Sequence, residues 1–213
     1  MEKSAVFDAF AEVVKALANG RRLELLELLA QGEHRVEALA QLTATTPTAT
    51  STHLQILRRA GLVRARRVGT SVYYRLAGDD VAQLFTAAKQ VALLRFPELR
   101  DALGTYLGRA GGEHPVIAAA AVTSKTVVID VRPRPEYEAG HFPGAFSIPQ
   151  DELEQRYHEI PEGSPVVVYC RGELCRMARE AAFWLRERGI DARAMDEGVV
   201  EWRADAEVEL DVA

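Results

Sequence analysis

Cysteine is scarce here. The 213-residue chain holds two, too few for a disulfide scaffold, and inside a cell they would rest reduced. Long apolar runs are missing as well: no stretch approaches about 18 uninterrupted apolar residues, so no membrane-spanning helix is expected. The opening MEKSAVFDAFAEVVKALANG has no apolar block ahead of a small-residue cleavage site, which argues against a secretory leader. The expected compartment is the cytoplasm. A basic excess is lacking too. The net charge is −5, which taken alone argues against a nucleic-acid partner. That acidity is uneven, however. Residues 1–85 carry 11 Lys and Arg against 9 Asp and Glu, while the rest carries 15 against 22. An acidic total therefore conceals one slightly basic module.

What is present reads as two domains. The hydrophobic share of 48% and charged share of 27% are those of a globular protein with room for two cores. Up to about residue 108 the spacing is mostly helical. Val6, Phe10, Val13, Val14 and Leu17 line one face of a first helix. RRLELLELLA (21–30) starts a second after Asn19-Gly20, RVEALAQL (35–42) is a short third, and residues 43–61 form a fourth with Pro47 in its first turn and Gly61 as its stop. Residues 62–68 and 71–76 alternate around Gly69-Thr70 as a β-hairpin. Helical spacing resumes from Asp79 to about Leu107, with Pro97 as a kink or break. GRAGGEHP (108–115) is the expected linker. Beyond it, strands at 126–131, 165–170 and 190–195 alternate with helical runs, the signature of a parallel α/β sheet. The expected domains are residues 1–107 and 116–213.

The order helix, short turn, small-polar helix, basic hairpin is that of a winged helix-turn-helix. Thr46, Thr48, Thr50, Ser51, Thr52, His53 and Gln55 would offer hydroxyl, imidazole and amide groups to a major groove. Arg58, Arg59, Arg64, Arg66, Arg67 and Arg75 would meet the DNA backbone. Either feature alone is commonly only helix capping or a protected sheet edge. The residues KALANGRRLELLELL (15–29), the run Ser51-Thr52-His53-Leu54-Gln55-Ile56-Leu57-Arg58-Arg59-Ala60-Gly61-Leu62-Val63 and GTSVYYRL (69–76) together resemble the ArsR/SmtB family of bacterial winged-helix repressors. The resemblance implies a homodimer on double-stranded operator DNA, paired through its first and last helices. Phe85, Leu93 and Leu94 are the interface candidates, unless they are ordinary core. The family's metal-sensing Cys-x-Cys is missing from HRVEALAQL, and His34 alone is not a ligand set, so no metal site and no cofactor are expected. The sensor should lie elsewhere.

VVVYCRGELCRMA (166–178) holds both cysteines. A strand ending at Cys170 before a helix puts its sulfur near unpaired N–H groups, and Arg171 and Arg176 add positive charge. Together these should lower the Cys170 pKa, although a cysteine after VVVY is often only a small hydrophobe. The preceding IDVRPRPEYEAGHFPGAFSIP (129–149), Cys170 after its strand, and Glu197-Gly198 with Trp202 resemble the rhodanese domain over about residues 115–208. That resemblance implies Cys170 as a sulfur-accepting nucleophile, with Asp130, Arg132 and His141 as structural supports. The whole chain resembles a fusion family in which the loop commonly reads CRGPYC. Here it is Cys170-Arg171-Gly172-Glu173-Leu174-Cys175, an anion-binding loop in which Glu173 should repel a dianion.

Cys175 could resolve a persulfide on Cys170 or simply fill core space. The functional expectation is a repressor responsive to reactive sulfur or redox state. A sulfurtransferase taking thiosulfate or a persulfide is the alternative. Cys170-x5-Arg176 also fits the phosphate loop of cysteine phosphatases and arsenate reductases, with a small oxyanion as ligand.

Overall fold

The computed structural model describes residues 2–108 and 115–213. Most of the expected linker therefore lies outside the described residues. The chain divides into two compact units, one up to Phe85 and one from Thr86 onward.

The first unit opens with α1 (Lys3–Lys15), α2 (Gly20–Ala30), β1 (His34–Arg35), α3 (Val36–Leu42) and α4 (Pro47–Arg59). It continues through β2 (Val63–Val68), β3 (Ser71–Leu76) and the start of α5 (Asp79–Arg95). Asn19 caps α2 by accepting the Arg22 N–H, which explains the interruption at Asn19-Gly20. Thr46 caps α4 through the Ala49 N–H, with Pro47 as the first helical residue. Gly61, at φ 76°, ends α4 in the left-handed region that glycine tolerates best. The antiparallel pair β2–β3 runs in register from Val63 opposite Leu76 to Val68 opposite Ser71, closing on a two-residue turn. One strand escaped the sequence reading: β1 adds His34 and Arg35 beside Tyr74 and Tyr73. Two residues are too short to carry a period. Leu25, Leu26, Leu39, Leu54 and Leu57 form the core with Tyr74, each buried leucine contributing about 1.5–3 kcal/mol. The apolar face of α1 joins none of this, and Phe10 remains 63% exposed.

The second unit contains the rest of α5, then α6 (Pro97–Gly108), β4 (Val116–Ile117), β5 (Val127–Asp130), α7 (Arg134–Glu138) and β6 (Phe146–Ser147). It ends with α8 (Leu153–Arg156), β7 (Val166–Tyr169), α9 (Met177–Arg186), β8 (Ala192–Met195) and α10 (Val199–Asp205). Pro97 starts a new helix after Phe96, so of the expected kink or break it is a break. The sheet is parallel throughout, in the order β4-β8-β7-β5-β6. All four residues of β7 are buried, because apolar side chains cover both faces of a central parallel strand. β7 delivers Cys170 to the carboxyl end of the sheet, where open α/β folds bind ligands.

Phe85 is 4% exposed and belongs to the core, which withdraws it as an interface residue. Leu93 is half-buried, and Leu94 is 70% exposed. No helix among the described residues is long and apolar enough to cross a membrane.

Candidate functional site

In the second unit, residues 170–176 connect β7 to α9, and the backbone folds back on itself there. The Cys175 N–H donates to the Gly172 carbonyl at 2.9 Å, and the Cys170 thiol donates to the Cys175 carbonyl at 3.4 Å. Both cysteines are free thiols. The loop leads directly into the first turn of α9. That helix starts at Met177.

The charge distribution differs from expectation. Burial pushes the Cys170 thiol well above its ordinary range, and its exposure is only 2%. Cys175, half-buried, is the acidic partner: the hydrogen bond from Cys170, with help from backbone N–H groups and Arg171, lowers it to about 7. The expectation of a lowered Cys170 pKa is therefore corrected. It counted nearby positive charge and neglected desolvation. Arg171 is spoken for, donating to both oxygens of buried Glu136 at 2.9 and 2.6 Å. Arg176 pairs with Glu180 and lies over the Tyr106 ring. Glu173 is paired as well, 2.9 Å from Lys89 Nζ, so its repulsion of a bound anion is offset. Leu174 is half-buried at the turn.

One consequence is measurable. Alkylation of Cys175, followed by peptide mass, should rise with a midpoint near pH 7. Cys170→Ala, which removes the largest cause of that acidity, should move the midpoint toward the ordinary value of about 8.5. Because the folded pKa is depressed, the stability gained from ionised Cys175 is present at alkaline pH and is lost as pH falls through about 7. A wild-type midpoint near the ordinary value would contradict this electrostatic account.

The loop rests on α10. The Val200 N–H donates to the Arg171 carbonyl at 3.1 Å. A Cβ on Gly198 would come within 2.4 Å of the Cys170 carbonyl oxygen, and one on Gly172 within 2.6 Å of Val200. Beneath Cys170, Tyr169 donates its hydroxyl to Asp130 at 2.5 Å, and Asp130 pairs with Arg132, both fully buried. Arg132 also donates to the Gly140 carbonyl at 2.7 Å. His141 stacks on Tyr137, with its Nδ1 3.0 Å from the Tyr137 carbonyl. Glu201 and Lys89 belong to the same cluster yet were missed by sequence reasoning.

In the first unit, α4 exposes Thr46, Thr48, Thr52, Arg58 and Arg59, with Ser51 and His53 half-buried. Thr50 is buried and bonded to Thr45, which removes it from any groove contact. Gln55 donates to the Tyr74 hydroxyl at 3.1 Å. On the wing, Arg66 pairs with Glu33 and lies over Tyr73, and Arg67 donates to the Gly69 carbonyl. Arg64 and Arg75 are exposed.

Comparison with known proteins agrees with both units. Residues 19–65 match the model of the bacterial regulatory protein arsR family, and residues 116–205 match the rhodanese-like domain. The HTH-type transcriptional regulator Rv0324 of Mycobacterium tuberculosis is 44% identical over 205 residues, covering 94% of this chain and 90% of its own length. The chain belongs to the arsR family of transcriptional regulators. This arsR-family regulator also resembles the biofilm growth-associated repressor of Agrobacterium fabrum, 44% identical over 41% of this chain and 73% of that protein. Among solved structures, the homodimeric winged helix-turn-helix DNA-binding domain Mb0332 of Mycobacterium bovis is 54% identical. It covers 45% of this chain and 88% of that one, with a TM-score of 0.42. The architecture is a winged helix-turn-helix followed by a rhodanese-like domain.

Proposed function

We propose that this regulator is a homodimeric repressor whose operator affinity is set by sulfur chemistry at Cys170 and Cys175. Residues 1–107 serve DNA binding and dimerisation, and residues 116–213 respond to a sulfane-sulfur donor. The observation that carries the reading is a pair of free thiols five residues apart at the end of a buried strand, the Cys170 thiol donating to the Cys175 carbonyl. Pairing of subunits is supported by the bare apolar face of α1 and by exposed Leu94.

The chemistry balances with a hydropersulfide such as glutathione persulfide. Cys170 sulfur attacks the outer sulfur of the donor while its proton passes to Cys175, and the glutathione thiolate leaves, giving Cys170 persulfide. Cys175, acidic enough to ionise near neutrality, then attacks Cys170 Sγ. A Cys170–Cys175 disulfide forms and hydrosulfide is released, so that two thiols are oxidised as the sulfane sulfur is reduced. Arg171, Arg176, Gly172, Glu173 and Leu174 shape the loop, while Asp130, Arg132 and His141 support it.

Two observations favour a sensor over an enzyme. Cys170 is almost wholly buried, which suits a single modification better than rapid turnover. Both arginines of the loop already hold carboxylates, which counts against clamping arsenate or a phosphate ester. The discriminating assay is thiosulfate-to-thiocyanate turnover beside stoichiometric sulfur uptake. A sensor should show uptake with negligible turnover. Sustained turnover that depends on Cys170, with operator affinity indifferent to sulfur, would replace this reading with a sulfurtransferase.

A further inference from the structure

Lys89 has the surroundings of a working residue although its sequence context, AAKQVALL, looks like a solvated helix face. Its side chain on α5 is 7% exposed, with Nζ 2.5 Å from Glu201 Oε1 and 2.9 Å from Glu173 Oε2. Lys89, Glu173 and Glu201 all belong to the second compact unit. Burial works against the ammonium charge, but the two carboxylates outweigh it and raise the Lys89 pKa. Glu173 lies between the two cysteines in the sequence of the loop. The other oxygen of Glu201 accepts the Gly198 N–H at 3.0 Å, and Gly198 is the residue pressed against Cys170. One buried ammonium thus grips the thiol loop from its middle and from the helix on which it rests.

We propose that Lys89 is the positioning residue of the thiol loop, and that through it a chemical change at Cys170 and Cys175 reaches α5. The proposal rests on the sulfur-responsive reading above. Its physical basis is crowding. A methyl group at Gly198 would strike the main chain of residues 170–172 and one at Gly172 would strike Val200 and Glu201, so the loop is packed closely on α10 and a rearrangement at its cysteines is passed to what it touches. Glu173 moves with the loop. Lys89 then loses one of its two carboxylates in a site almost closed to water, an arrangement that a buried charge does not tolerate. The restoring response is a shift of Lys89 and of the helix that carries it. α5 is continuous from Asp79 to Arg95, and its first residues belong to the winged-helix unit.

The test compares operator affinity before and after glutathione persulfide in wild type, Lys89→Met and Glu173→Gln, at sulfur loadings matched by intact mass. Wild type should change affinity by about 5–150-fold, the ordinary range of coupling between sites. Lys89→Met, brought to the same sulfur loading at Cys170 by longer exposure, should change its affinity by less than about twofold. Loss of sulfur coupling at matched sulfur loading is a result that a merely stabilising lysine would not give. Glu173→Gln removes a half-exposed partner and should blunt the response in the same direction, which keeps the question answerable if the lysine variant folds poorly. Variants that switch as widely as wild type would overturn the Lys89 assignment alone. A wild type that takes up sulfur without any change in affinity would overturn the sulfur-responsive reading and this inference together.

Discussion

Arg132→Met should unfold the rhodanese-like domain while leaving the winged helix folded. Arg132 and Asp130 are both fully buried, and Arg132 spends its donors on Asp130 and on the Gly140 carbonyl. Removing one member of a buried pair costs about 3–5 kcal/mol, because the other charge is left without a partner in a medium that solvates it poorly. Here the damage extends further. Asp130 also accepts the Tyr169 hydroxyl, and Tyr169 immediately precedes Cys170. An unpaired Asp130 therefore disturbs the strand end that presents the thiol. Set against the total stability of a domain, about 5–15 kcal/mol, the loss is large enough to populate the unfolded state. Two-wavelength melting would show it, since both tryptophans, Trp184 and Trp202, report on this domain alone. An Arg132→Met protein whose tryptophan transition coincides with that of wild type would show that the pair is not a keystone.

The second large effect is expected at Gly198. Its φ of −158° is extended and available to any residue, so alanine brings no backbone strain. What it brings is a Cβ 2.4 Å from the Cys170 carbonyl, 2.5 Å from the Gly172 nitrogen and 2.7 Å from the Arg171 carbonyl carbon. All three are main-chain atoms, which cannot rotate out of the way as a side chain can. Overpacking of this kind costs about 1–3 kcal/mol, and here the chain that yields is the thiol loop itself. Displacing reacting atoms by about 1 Å can slow a reaction by about 100-fold, and sulfur uptake by Gly198→Ala should fall to that extent, with the domain still folded. Gly172→Ala is the natural contrast. Its Cβ meets side-chain atoms of Val200 and Glu201 and no main-chain atom, so its loss should be smaller. Equal and mild effects at both glycines would mean that the loop is looser than these distances imply.

The sequence carried most of the architecture, because the features that define it are local. Caps such as Asn19 and Thr46, the Gly69-Thr70 turn and the β-branched strand 166–169 act within a few residues of themselves, so spacing suffices to find them. The thiol loop was legible for the same reason. Its electrostatics were not. Whether Cys170 is an acidic or a reluctant thiol depends on desolvation by residues brought from elsewhere, and burial outweighed the flanking arginines. Arg171 looked like a free cation because Glu136, its partner, lies 35 positions away. Lys89 and Glu201 are 112 positions apart, and nothing in AAKQ or GVVEW announces that they meet. Thr50 looked like its neighbours on α4, yet the helix turns it inward onto Thr45. Contacts closed across the fold are the ones that local reading leaves out.

The central claim is that sulfur on Cys170 changes the grip on DNA. The most direct measurement takes one preparation of wild type and one of Cys170→Ser, exposes each to glutathione persulfide, and records intact mass and operator affinity on the same samples. The expected result is that wild type gains a sulfur or loses two hydrogens in a Cys170-dependent manner and its operator affinity changes with that fraction, while Cys170→Ser changes in neither. Wild type that is fully modified at Cys170 and binds operator as tightly as the reduced protein would contradict the account.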